Sequence, residues 1–138
     1  MAPTAVIDVD AGTPAKFPDL EFVILESGIG WVPYLMSRLN REYSTWRSQV
    51  PLLEKMPEDY IRDQFYFGTQ PLGEFNDRSQ MADMIDLLGP ESIMFSTDHP
   101  HYDFDNPESI RAFFSHLSEA DQRAVFGENA IEVFDLPV

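Results

Sequence analysis

The stretch Ile93 to Asp105, IMFSTDHPHYDFD, holds the densest set of groups in this chain that could do chemistry. A short apolar run leads into Asp98, His99, His101, Asp103 and Asp105. A carboxylate delivered by a strand end, as Asp98 would be, can ligate a divalent metal or take a proton from bound water. The same residue type also caps turns and helix N-termini. His99 and His101 form an H-x-H pair, which binds zinc when both rings face one centre. Pro100 between them keeps the backbone extended, so the two side chains can share a side. The commoner use of such a histidine is as a packed or hydrogen-bonded strut. Asp103 and Asp105 lack the D-x-D-x-D-G spacing and distal Glu of a calcium loop, so they are expected to be solvated, with Asp105 assisting a cap at Asn106.

Two further segments would bring polar groups to the same place. EFVILES, residues 21–27, reads as a buried strand ending in Glu26 and Ser27, with Gly28 and Gly30 next. Glu26 is a general acid/base candidate, or else a partner for a cation or for backbone N–H groups. QFYFGTQP, residues 64–71, reads as a second strand delivering Thr69 and Gln70. Residues 93–97 are the third. In parallel α/β folds ligands bind beyond the C-terminal strand ends, where all these groups would meet. The Gly28-Ile29-Gly30 triplet is too short for a phosphate fingerprint, and no Walker loop, dinucleotide motif or nucleophile elbow is present.

Helices must position those strands. Val32, Leu35, Met36, Leu39, Tyr43 and Trp46 recur at three- and four-residue steps and predict a helix that stops by Pro51. Pro57 opens a short helix with acids in its first turn. Asp77 with Gln80 resembles a capping box before a helix carrying Met81, Met84, Ile85 and Leu88, ended by Gly89-Pro90. Asn106-Pro107 starts another helix, and Ser118 to Asp121 is a second capping box, leading to a stop near Phe126-Gly127. A last short helix is expected over 128–134. Residues 1–18 read as irregular, with room for a short strand at 5–9. Strand, helix, strand, helix, strand without hairpin signals predicts right-handed crossovers and a parallel sheet. Three such strands would leave two raw edges.

The 138 residues suggest one domain, residues 1–138, with 1–15 as a lead-in. An apolar content of 43% supports a packed core. The absence of cysteine excludes disulfides and thiolate metal sites. Nine basic against 24 acidic residues give a net charge of -15, which argues against nucleic acid and anionic membranes as partners. No run reaches the roughly 18 apolar residues of a membrane span. The N-terminal residues lack a signal-peptide pattern, so a cytoplasmic address is expected.

At this point a family resemblance enters. KFPDLEFVILESGIGWVPYLMSRLNREY, residues 16–43, resembles a late-barrel segment of the amidohydrolase superfamily. The branch it is most similar to includes aminocarboxymuconate-semialdehyde and resorcylate decarboxylases. YIRDQFYFGTQPLGE, LLGPESIMFSTDHPHYDFDNPESI and FGENAIEVFDL are similar to that branch's next strand, its last strand with its loop, and its terminal helix. The resemblance implies an α/β fold, a partial (β/α)8 TIM barrel of about the last three βα units. It implies that Asp98 is the catalytic and metal-binding aspartate ending the eighth strand. Glu26 stands where many relatives carry a histidine, and so becomes a candidate proton carrier. His99, His101, Gln70 and Trp31 become expected contacts for a small-molecule substrate. The family's early H-x-H or E-x-H and mid-barrel histidine have no counterpart among these residues.

The expected function is therefore the C-terminal portion of a metal-dependent hydrolase, with water activated at Asp98. The alternatives are a decarboxylase of a small carboxylic acid and a non-catalytic interaction module. Zinc is the expected cofactor, with manganese second, once other ligands complete the site. A homo-oligomer or a complementing chain is the expected protein partner.

Overall fold

The computed structural model describes residues 11–73 and 75–137. Three parallel strands form one sheet in the order β1 (Phe22–Ile24), β2 (Phe65–Gly68), β3 (Ile93–Met94). The register pairs Phe22 with Phe65, Ile24 with Phe67, and Gly68 with Met94. The helices are α1 (Thr13–Lys16), α2 (Val32–Thr45), α3 (Pro57–Gln64), α4 (Arg78–Leu88), α5 (Pro107–Phe113), α6 (Glu119–Arg123) and α7 (Asn129–Phe134). The expected strand at 5–9 lies outside the described residues. The lead-in is not wholly irregular, since α1 occupies part of it.

Strand–helix alternation puts one apolar face of the sheet against α2, α3 and α4. Val32, Leu35, Met36 and Leu39 form the buried stripe of α2. They share one cluster with Ile61, Phe65, Phe67, Ile85, Leu88 and Ile93. Each such side chain contributes about 1.5–3 kcal/mol through burial. The predicted stripe runs too far: α2 ends at Thr45, where Trp46 leaves helical geometry at φ −118°, and Trp46 is exposed. The turn Arg47–Gln49 then redirects the chain toward Pro51.

Helix ends are tied off locally. Asp77 accepts from the Ser79 N–H at 2.9 Å, which holds its carboxyl below the ordinary range. The Arg62 guanidinium donates at 2.6 Å to both Leu87 O and Leu88 O, the orphan carbonyls at the end of α4. Asn106 caps α5 through the Glu108 and Ser109 N–H groups. Ser118 Oγ accepts from the Asp121 N–H and donates to its carboxylate. Gln64 Nε2 donates to Phe17 O and Pro18 O, which fixes the segment entering β1 beneath α3.

Among the described residues the outer edge of β3 is covered rather than raw. Beyond β3, the Phe95 N–H donates to Val125 O at 2.9 Å, and Asn129 Nδ2 donates to Pro90 O and Ile93 O. A kink at Gly127 separates α6 from α7 and brings these acceptors and donors to the strand. β1 is the outer strand on the other side, half-buried along its length, with Leu25 exposed just past its end. The three strands are shorter than their apolar patterns predict, because pairing ends where the loops diverge toward the site. Among the described residues no helix is long and apolar enough to cross a membrane.

Candidate functional site

The parallel strands deliver Glu26, Thr69, Gln70 and Asp98 to one end of the sheet, as the alternation predicts. The strand-end loops are cross-linked. The Gly28 N–H donates to Gln70 O at 3.1 Å, joining the first to the second. Thr69 Oγ1 donates to Ser96 O at 2.8 Å and accepts from the Ser96 N–H, while Ser96 Oγ accepts from the Gln70 N–H. Asp105 is half-buried and accepts from the Leu72 N–H at 2.8 Å. Asp105 is thus a clamp between loops, not a solvated carboxylate or an aid to the Asn106 cap. Nothing in the sequence spacing signals this, since the partners are 33 residues apart.

Asp98 and Glu26 share a backbone feature. Both adopt φ in the left-handed region, 61° for Asp98 and 54° for Glu26. Non-glycine residues seldom occupy it, and those that do cluster at functional sites. Asp98 has a largely covered side chain, 16% exposed, whereas the His101 ring is 64% exposed. Asp98 Oδ2 lies 2.9 Å from His101 Nδ1. The His101 N–H also closes a turn onto Asp98 O at 2.9 Å. The hydrogen bond to Asp98, and then its charge, hold the His101 imidazole above its ordinary range, with Glu26 and Asp103 adding in the same direction.

The other predicted residues are placed as follows. His99 is exposed; its ring meets Phe104 edge-on at 5.6 Å and its N–H donates to Thr97 Oγ1. His99 and His101 are therefore not engaged alike: one ring packs on an aromatic and the other holds a carboxylate. Gln70 is buried, and its Oε1 has no hydrogen-bond partner. Trp31 uses its indole N–H on Ser27 O and Gly28 O at 3.0 Å, with its ring edge-on to Phe67. Glu26 is exposed. Beside these loops a cavity of about 410 Å³ opens between Leu72 and Gly73 on one wall and Asp105, Asn106 and Ser109 on the other.

Catalytic metal sites generally use three protein ligands. Among the described residues no group of three His, Asp or Glu side chains converges in that way, and one oxygen of Asp98 is already engaged by His101. The described residues alone do not fit a divalent metal. They do supply a covered carboxylate with one oxygen fixed by an imidazole, an arrangement suited to proton transfer.

The chain is similar to known proteins over most of its length. Over 125 residues the chain is 30% identical to the gamma-resorcylate decarboxylase of Polaromonas sp. strain JS666, covering 88% of this chain and 36% of that protein. The chain thus spans little more than a third of the length of the curated relatives it matches. Among solved structures it superposes on the 5-carboxyvanillate decarboxylase of Sphingomonas paucimobilis with a TM-score of 0.75 and 25% identity, over 99% of this chain and 40% of that one. It also superposes on the dihydroxybenzoic acid decarboxylase of Polaromonas sp. JS666, crystallised with manganese and 2-nitroresorcinol, with a TM-score of 0.69 and 28% identity over 96% and 39% of the two chains. These relatives are decarboxylases, which supports the decarboxylase alternative better than the expected hydrolase reading. The amidohydrolase family model matches residues 3–136, nearly the whole sequence, and the chain belongs to that family.

Proposed function

We propose that the chain forms part of a (β/α)8 barrel, about three βα units of it, belonging to a decarboxylase of hydroxylated aromatic acids. Asp98 handles the proton in this reading. The observation that carries it is the covered Asp98 carboxylate, held at the C-terminal end of β3 in a chain whose relatives decarboxylate resorcylate and carboxyvanillate.

Decarboxylation breaks the bond between the ring carbon and the carboxylate. The electron pair stays on the ring carbon, which takes a proton as CO2 departs. A carboxyl group sheltered from water and poised at a strand end is suited to carry that proton. Glu26, exposed on the neighbouring loop, is the second proton carrier. Gln70 Oε1, buried and free of a partner, is the acceptor this reading offers to a phenolic hydroxyl of the substrate. Trp31 pins the Ser27 and Gly28 carbonyls and so fixes the loop that carries Glu26, while His99 packs against Phe104. Manganese, present in the Polaromonas neighbour, replaces zinc as the ion to supply. Its further ligands would come with the rest of the barrel, from the same or a second chain, and closing that barrel requires both outer strands, β1 and β3, to find partners.

The test is an assay of the chain completed by the rest of the barrel, with manganese and a panel of 2,6-dihydroxybenzoate and 5-carboxyvanillate, following loss of the carboxylate and release of CO2. Turnover that falls about 100-fold or more in Asp98→Asn is expected, in line with general acid–base catalysis. Cleavage of an ester or amide panel with no CO2 release would restore the hydrolytic reading. No turnover on either panel would leave the chain as a non-catalytic module.

A further inference from the structure

We infer that His101 is a positioning residue for Asp98, selecting which carboxylate oxygen faces the substrate. The inference rests on the decarboxylase reading and names a part of its machinery. The contact at 2.9 Å occupies Oδ2 alone, and no hydrogen bond within the described residues reaches Oδ1. The imidazole is aimed by the backbone. The His101 N–H closes onto Asp98 O, and the Asp105 N–H closes the wider loop onto Thr97 O at 3.0 Å. Asp105 in turn grips Leu72, so the loop that orients Asp98 is anchored to the end of β2. His99, one residue from Asp98, is turned toward Phe104 and takes no part.

Magnitudes separate a positioning role from a stabilising one. An ion pair whose histidine is 64% exposed is largely screened by water and adds little to folding. The same contact fixes one torsion of a carboxylate that must meet a ring carbon, where a misplacement near 1 Å costs about 100-fold in rate. The left-handed backbone at Asp98 points to the same conclusion, since it is retained at a cost that this weak pair does not offset.

Two measurements test the inference. The first needs no turnover. In nitrogen-15 spectra of the wild-type chain, at a pH where the ring is neutral, His101 is expected to carry its proton on Nδ1. Asp98→Ala is expected to return it to the Nε2–H form that free histidine favours. A wild-type ring already in the Nε2–H form overturns the inference. The second is kinetic, and is made on the chain completed by the rest of the barrel. His101→Leu is expected to lower kcat about 10- to 100-fold with KM little changed, the range typical of residues that orient a catalytic ligand. His101→Asn places an amide N–H where Nδ1 stood and is expected to restore most of the rate. Equal losses in the two variants, or no loss in His101→Leu, overturn the inference. If the tautomer result fails while turnover persists, His101 is removed and the decarboxylase reading stands. If the Nδ1–H tautomer is found in a chain that releases no CO2, the pairing is real but the activity it was inferred to serve is gone.

Discussion

Asn129 and Ile93 are joined by a hydrogen bond of 2.8 Å from the Asn129 amide to the Ile93 carbonyl, and the same amide reaches Pro90 O at 2.9 Å. This side chain closes the outer edge of β3. Asn129→Ala leaves both carbonyls without that donor next to a fully buried residue, Ile93. A loss of about 1–3 kcal/mol is expected, seen as a lower midpoint in urea unfolding with an unchanged slope. An unchanged midpoint would mean that the edge is held by Phe95 and Val125 alone.

Glu26 sits at φ 54° and is exposed. Glycine adopts that backbone without the Cβ clash, so Glu26→Gly is expected to stabilise the fold by about 1 kcal/mol while removing the proposed second proton carrier. Thermal or urea unfolding measures the gain. Destabilisation would show that the carboxylate has a structural partner in solution.

Gly28 carries the opposite expectation. Its φ is +63°, and a Cβ there would lie 2.4 Å from Pro71 O. That carbonyl belongs to backbone on the neighbouring loop and cannot swing aside as a side-chain tip would. Gly28→Ala is expected to cost about 1–3 kcal/mol and to weaken the bond from the Gly28 N–H to Gln70 O. Amide exchange at Gly28, faster in the variant, is the direct readout.

The pH dependence follows from His101. Its folded-state pKa lies above the ordinary 6.5 because Asp98 accepts from the ring and carries the opposite charge. The pair's contribution to stability is therefore full below pH 6.5 and fades as pH rises through the folded value. Proton NMR titration is expected to place the His101 midpoint above 6.5 and to bring it back toward that value in Asp98→Asn. A wild-type midpoint at or below 6.5 would mean the contact does not persist in solution.

Much of this protein is written in local pattern. Three-residue and four-residue spacing marks α2 and α4, and Asp77, Asn106 and Ser118 announce helix starts, because a cap contacts N–H groups only two or three residues away. The alternation of strands with helices dictates parallel pairing, and hence that Glu26, Gln70 and Asp98 arrive at one end of the sheet. Even the Asp98–His101 pair is within local reach, being three residues apart, although the sequence alone weighed both histidines equally. Tertiary structure decided the rest. Which loop Asp105 clamps, how Thr69 and Ser96 interlock, and that Asn129 seals an edge expected to be raw all depend on register between segments 27 to 39 residues apart. Such contacts are set by how helices pack the strands against one another, and no short-range spacing encodes them.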